Sequence, residues 1–533
     1  MTTAAGTRLD ASVWRPNAPG RFPILLMRQP YGRAIASTLV YAHPAWYAAH
    51  GYIVVVQDVR GTGTSEGDFR LFEAEEADGA ETVAWALDLP GSSGRLGMYG
   101  FSYQAVTQLL ALAAGAPVHA LAPAMTGWTI RTDWAWEGGA FALAAGLGWA
   151  AQMGAIKARH DGDATAAAAF EAIARNPPLA TADRAMPAAM RPLATATHYH
   201  DCLSRPGPDP YWDRIAPAAR LADKTVDIPM LHIGGWFDQM LMGTLDAHHA
   251  IAARTTAEQT LVIGPWTHQP WGRRVGAVDF GPAAASPIDR MQLVFFDRHL
   301  KGQGGRAPPF TLFDLGTRAW RNHRAWPGAS QTPCFLTSHG LAAATSTDGG
   351  LRPDSALPGS DIWVHDPWRP APSLGGHNTQ GPASPGGMQD RAPLDDRADI
   401  AVYTSAVLET QLPLCGRVAA ELWITADQPS FDVSATLAMV DPAGRSWNLT
   451  QGHARFDTPG HCLIDMRATY ATIPPGHSLR LSLAGAAFPA FPVNPGTGTS
   501  PLHATAAEER VITLRLDHGG PANTRLLLPV IPD

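Results

Sequence analysis

Residues 95–108, R-L-G-M-Y-G-F-S-Y-Q-A-V-T-Q, pass from an apolar strand pattern straight into a helical one, with Ser102 at the junction. A strand that turns into a helix without a linker belongs in a parallel sheet whose faces are covered by helices. The neighbouring chain has the same character. Strand-like runs at 7–14, 22–28, 52–57 and 96–99 alternate with helical patterns at 73–89 and 103–114. In the second of these helices Val106, Leu109, Leu110 and Ala113 recur at helical spacing, and Gly115 followed by Pro117 stops it.

Such a junction holds a serine hydroxyl above the C-terminal edge of the sheet, where the backbone N–H of Tyr103 at the helix start can face a developing oxyanion. The serine still needs a base, because its hydroxyl is a poor nucleophile at neutral pH. Two later strings supply one, together with an acid to orient it: I-G-G-W-F-D at 233–238 and V-I-G-P-W-T-H at 262–268. Each follows an apolar run, so Asp238 and His268 are expected at the same sheet edge as Ser102. His268 would take the serine proton, and Asp238 would fix the imidazole tautomer and stabilise the imidazolium. The literal G-x-S-x-G string lies elsewhere, at 63–67 (G-T-S-E-G), but no strand leads directly into Ser65. That segment also lacks a P-loop lysine and dinucleotide-binding spacing, so it reads as a structural turn.

A chain of 533 residues exceeds one core. The alternating pattern spans 1–127 and resumes at 228–330, where the sheet is expected to finish with a helix at 289–300. Between them, residues 128–227 are Ala-rich and helical without strand-like runs, which reads as an inserted cap. Residues 331–533 show short β-runs punctuated by Gly, Pro, Asp and Ser, which suits an antiparallel sandwich or jelly roll. A net charge of −7 leaves no basic footprint for nucleic acid. The most apolar window, 141–156, is interrupted by Gln152 and falls short of a bilayer span, so no membrane partner is expected.

Cys202, Cys334, Cys415 and Cys462 show no C-x-x-C spacing and read as reduced and buried. The N-terminal M-T-T-A-A-G-T-R-L-D lacks a basic region followed by an apolar run, so the cytoplasm is the expected location. His198, His200 and Asp201, like His248 and His249, are not completed to a metal set at any familiar spacing. No cofactor and no metal are expected.

Together these strings resemble the cocaine esterase and X-Pro dipeptidyl-peptidase type of serine hydrolase, a group that includes α-amino acid ester hydrolases. The resemblance covers nearly the whole chain. It is carried by R-Q-P-Y from Arg28, D-V-R-G-T-G-T-S-E-G from Asp58, G-F-S-Y from Gly100, G-G-W-F-D from Gly234 and G-P-W-T-H from Gly264. F-F-D-R-H-L-K-G, ending at Gly302, and N-P-G-T-G from Asn494 complete it. It implies an α/β-hydrolase core with a helical cap and a C-terminal jelly roll, and the chain order Ser, Asp, His is the one that fold uses. It also implies that the phenol of Tyr31 is a second oxyanion donor.

Two departures from the family pattern bear on function. Ala105 stands where the elbow usually has a second glycine, a change expected to shift the elbow slightly. Asp238 is followed by Gln239, Met240 and Leu241, where members acting on α-amino acid esters carry carboxylates for the substrate ammonium. An apolar wall cannot repay the desolvation of an ammonium group, so a neutral acyl group is expected. Trp136, Met240, Phe237 and Trp266 are the candidate acyl-pocket residues, with Trp128, Trp134, Trp149 and Trp236 in segments that face the site. Glu137 and Asp133 could restore some negative charge there.

The leading reading is a cofactor-independent serine hydrolase that cleaves a small-molecule carboxylic ester. Amide cleavage, by an X-Pro dipeptidyl peptidase or a β-lactam acylase, is the first alternative. A binding protein with a vestigial hydrolase core is the second. The oligomeric state, including a homo-oligomer, is left open.

Overall fold

Strands buried on both faces read as unbroken apolar runs, and such runs pair in parallel. The computed structural model describes residues 1–34, 39–179, 197–328, 330–354, 357–377, 385–501 and 503–532. Its first sheet contains β1 (Ala11–Trp14), β2 (Phe22–Gln29), β3 (Ile53–Asp58), β4 (Ser92–Phe101), β5 (Ala120–Ala124), β6 (Met230–Phe237), β7 (Gln259–Thr267), β8 (Phe310–Asp314) and β9 (Ala319–His323). They lie in the order β1-β3-β2-β4-β5-β6-β7-β8-β9. Neighbours from β3 across to β8 are parallel, and only the edge strands β1 and β9 pair antiparallel. All six residues of β3 and all eight of β6 are buried, which explains their apolar composition.

Helices α1 (Glu75–Leu87) and α2 (Tyr103–Ala113) pack on the sheet, α3 (Leu143–His160) and α4 (Ala164–Arg175) pack on each other in the inserted stretch, and α5 (Leu241–Ala252) and α6 (Ile288–Lys301) again pack on the sheet. Glu75, Glu76 and Asp78 occupy the first turn of α1, where the helix dipole favours negative charge. The α6 helix stops at Gly302, whose φ of 69° is the left-handed cap that glycine accepts freely.

Two expectations are corrected. The sheet does not finish with α6, because β8 and β9 follow it. Their signal is weak in sequence: β8 is five residues long, and the edge strand β9, A-W-R-N-H, is largely polar and not fully buried anywhere. The inserted stretch is not wholly helical either. A short π-helical turn, Arg131–Ala135, leads into a hairpin that pairs Trp136–Glu137 with Ala140–Phe141. Gly138 and Gly139 form its tip at φ 52° and 81°, the positive values that a two-residue hairpin turn demands. Residues 180–196 of the insertion lie outside the described residues.

The C-terminal part holds an eleven-stranded sheet. Its long central strand, Leu412–Ala426, pairs antiparallel with Gly460–Ile473 and also with Ile512–His518 and Arg525–Val530. One pair, Gly349–Arg352 with Ile400–Ser405, is parallel, so the part is not purely antiparallel. The Pro/Gly-rich connection read at 369–392 includes residues 378–384, which lie outside the described residues. All four cysteines are unpaired, and Cys334 is half-buried rather than buried. Among the described residues no helix is long and apolar enough to cross a membrane.

Candidate active site

Ser102 follows β4 directly and has φ 61° and ψ −125°, a conformation that costs a non-glycine residue about 1–3 kcal/mol. The turn forces glycine two residues earlier. Gly100 has φ 139°, and a Cβ there would stand 2.5 Å from Gln104 Cβ. The Ser102 N–H donates to Ala124 O at 2.9 Å, and the Ala105 N–H donates to Ser102 O at 2.9 Å. Ala105 is fully buried within α2, and the strand-to-helix turn forms around its methyl.

Tyr103 opens α2, so its N–H has no acceptor within the helix. Its side chain belongs to a buried network beneath the elbow. The ring stacks on Phe72 at 4.3 Å between centroids, and the hydroxyl donates to Glu75 Oε1 at 2.8 Å. The other Glu75 oxygen accepts from the fully buried Arg28 guanidinium at 2.5 Å, and Arg28 Nε donates to Gln57 at 2.9 Å. Breaking such a pair strands a buried charge. Glu75→Ala is expected to lower unfolding stability by about 3–5 kcal/mol in denaturant titration, and a loss below about 1 kcal/mol would contradict this account.

Tyr31 lies just past β2. Its backbone N–H donates to Gln29 Oε1 at 2.7 Å, while the Gln29 amide donates to Asp58 at 2.9 Å. The Trp149 indole N–H donates to the Tyr31 hydroxyl at 3.1 Å, and the Ser102 side chain is a second hydrogen-bond partner of that phenol. Burial pushes the phenol up to about 12, against the pull of those two bonds, so it stays a neutral donor. Because its oxygen already accepts from Trp149, its own proton is left for a partner at Ser102.

Asp238 follows β6 and is fully buried, and His268 follows β7. His268 Nδ1 and Asp238 Oδ1 are 2.7 Å apart, which leaves Nε2 as the imidazole nitrogen able to take a proton. The Trp271 indole N–H donates to His268 O at 3.0 Å and pins the loop. The imidazole packs on Phe101, the residue before Ser102, with 5.4 Å between ring centroids. Tyr31, Ser102, Asp238 and His268 thus come from the C-terminal ends of four neighbouring or near-neighbouring parallel strands, where open α/β sheets bind ligands.

Of the four candidate acyl-pocket residues, Trp136 and Met240 are buried in the apolar cluster that holds Tyr103, Trp134 and, against it, Tyr31 and Trp149. Trp134 meets Trp149 edge-on at 5.0 Å and Phe72 at 5.3 Å. Phe237 and Trp266 are also buried, in a separate large apolar cluster that runs over the sheet and includes Phe101. Trp266 stacks on Trp271 at 5.5 Å between ring centroids and donates its indole N–H to Ala284 O. Trp236 donates to Phe313 O in the same core, and Trp128 packs in a third cluster with α2 residues.

Each of the two cap carboxylates has one oxygen already engaged. Asp133 Oδ2 accepts from the N–H groups of Trp128 and Thr129 at 2.8 and 2.7 Å, and burial pushes its pKa up to about 6. Glu137 Oε2 lies 2.7 Å from His377 Nε2 and 3.0 Å from the Arg467 guanidinium. Burial would raise the Glu137 carboxyl, yet these two neighbours hold it down to about 2.

Ser65 is fully buried, donates to Asp58 O and accepts from the Asp10 N–H, as a structural turn residue does. His198 packs on Trp149 at 4.3 Å, and burial pushes its pKa down to about 3. Glu75, His377 and Arg467 are residues around the candidate site that the sequence did not single out, since each reaches it only through tertiary folding, while Trp149, expected in a segment that faces the site, is the one that bonds Tyr31.

Residues 5–270 match the model of the X-Pro dipeptidyl-peptidase (S15) family, and residues 303–528 match that of the X-Pro dipeptidyl-peptidase C-terminal non-catalytic domain. Cocaine esterase from a Rhodococcus species is 32% identical, with 99% of this chain and 96% of that protein covered. A serine esterase of Mycobacterium bovis, so named without proof of activity, is 27% identical over 84% of this chain and 81% of its own. Among solved structures, an aminopeptidase from a marine-sediment thaumarchaeon has a TM-score of 0.82 at 21% identity, covering 100% of this chain and 95% of its own. An α-amino acid ester hydrolase has a TM-score of 0.81 at 21% identity, covering 99% and 95%. At that identity the structural likeness speaks for the fold alone.

Proposed function

Since this chain belongs to the X-Pro dipeptidyl-peptidase (S15) family and is a serine ester hydrolase within it, we propose that Ser102, His268 and Asp238 act as its triad through an acyl-enzyme. Ser102 Oγ attacks the ester carbonyl while His268 Nε2 takes its proton. The proton then passes to the departing alcohol, and water attacks the acyl-enzyme by the same route in reverse. Tyr31 and the Tyr103 N–H stabilise the tetrahedral oxyanion. The observation that carries this reading is the 2.7 Å bond between His268 and the buried Asp238, on the sheet edge where Ser102 is held at positive φ.

Tyr31→Phe keeps the ring and removes the donor. The expected result is a fall in kcat of about 10²–10³-fold with a p-nitrophenyl ester. An unchanged kcat would remove Tyr31 from the oxyanion hole.

The acyl group read here is neutral. Met240 and Trp136 are apolar, Asp133 is held by backbone donors, and Glu137 is committed to Arg467 and His377. Glu137 Oε1 is buried with no hydrogen-bond partner among the described residues, but the charge of that carboxylate is already balanced by the Arg467 guanidinium, which leaves little to repay the desolvation of an ammonium group. A benzoyl or phenylacetyl ester should therefore show higher kcat/KM than the matching ester with a free α-amine. Preference for the amine ester would overturn the neutral-acyl reading without touching the triad. The four unpaired cysteines support a reducing compartment, and we take the cytoplasm as its location.

A further inference from the structure

We propose that Arg467, contributed by the C-terminal β-rich part, is a positioning residue for the acid Asp238, a role that rests on the triad reading above. Arg467 lies on the strand Gly460–Ile473 and is 8% exposed. One of its guanidinium nitrogens donates to the carbonyl of Gln239, the residue immediately after Asp238. Another donates to Glu137 Oε2 at 3.0 Å, the oxygen that also bonds His377. Four segments remote in sequence therefore meet beside the catalytic acid: the end of β6, the cap hairpin, the loop at His377 and the strand that bears Arg467.

The Asp238 carboxylate has few constraints of its own. Oδ1 holds His268, while Oδ2 is buried with no hydrogen-bond partner among the described residues. Its orientation depends on the backbone turn, in which the Asp238 N–H reaches Gly235 O at 3.0 Å and the Leu241 N–H reaches Asp238 O at 3.2 Å. Arg467 clamps the carbonyl inside that turn. A guanidinium is planar and presents its donors in a fixed fork, so one group can hold Gln239 and Glu137 at a set angle; an ammonium cannot. Glu137 compensates the buried cation and ties it to the cap.

The test compares wild type, Arg467→Ala and Arg467→Lys for p-nitrophenyl ester kinetics, with thermal melting of each. Because small misplacement of a catalytic group is costly, kcat is expected to fall about 10²-fold in both variants, with KM little changed. Millimolar guanidinium should raise the kcat of Arg467→Ala by filling the vacated space, and equal urea should not. A folded variant that keeps wild-type kcat, or one whose loss lies in KM alone, overturns the proposal. If the alanine variant does not fold, the lysine variant keeps the stem and charge and decides by the same criteria. Failure of wild type to hydrolyse esters, or of Ser102 to take a fluorophosphonate label, would instead bring down the triad reading and this proposal with it.

Discussion

Ser102→Ala lowers ester turnover by about 10⁶-fold, since loss of the nucleophile of a serine triad costs about as much as loss of the whole triad. The variant should fold, because Ser102 buries only a hydroxyl at the turn and the neighbouring backbone bonds to Ala124 and Ala105 do not involve its side chain. Fluorophosphonate labelling should vanish with the activity. Near-wild-type turnover in folded Ser102→Ala would end the assignment. The backbone offers a control that activity alone does not. Alanine keeps the Cβ and hence the strain at φ 61°, whereas glycine relieves it. Ser102→Gly, equally inactive, should therefore be more stable than Ser102→Ala by about 1 kcal/mol in denaturant titration.

Asp238→Asn is expected to lower kcat by about 10⁴-fold with little change in fold. The amide is nearly isosteric, but it can offer its NH₂ to His268 Nδ1 and so favour the tautomer whose proton sits on Nε2, the nitrogen that must act as base. The effect should fall on kcat and on the rate of Ser102 labelling alike. A loss of less than about tenfold would mean that Asp238 does not orient the base.

These effects differ in how much of their basis is written along the chain. The elbow is local: an apolar strand, Gly100, Ser102 and a helix pattern lie within fourteen consecutive positions, so periodicity reveals them. Asp238 and His268 are legible for a related reason, because each ends a strand-like run and a parallel sheet collects such ends at one edge. The face to which a side chain turns is not legible. Trp266 lies two residues before His268, yet it points into the core against Trp271, while Trp149, in a helix far from either, reaches Tyr31. Glu75 and Arg467 are invisible for a deeper reason. Their partners are set by packing between elements that no sequence spacing connects. The cap hairpin has a local signal, since Gly138-Gly139 between Trp136 and Phe141 is a two-residue turn sequence.

That hairpin tip is wedged against the C-terminal sheet: the Arg455 N–H donates to Gly138 O at 2.8 Å, and a Cβ on Gly138 would lie 2.0 Å from His453 O. Engineers seeking a wider substrate range thus inherit a fixed hinge pin. Lengthening the loop or bulking its apex would pry the roof off its support, so new specificities are better sought by exchanging side chains along the helix that carries Trp149, leaving the scaffold's joinery untouched.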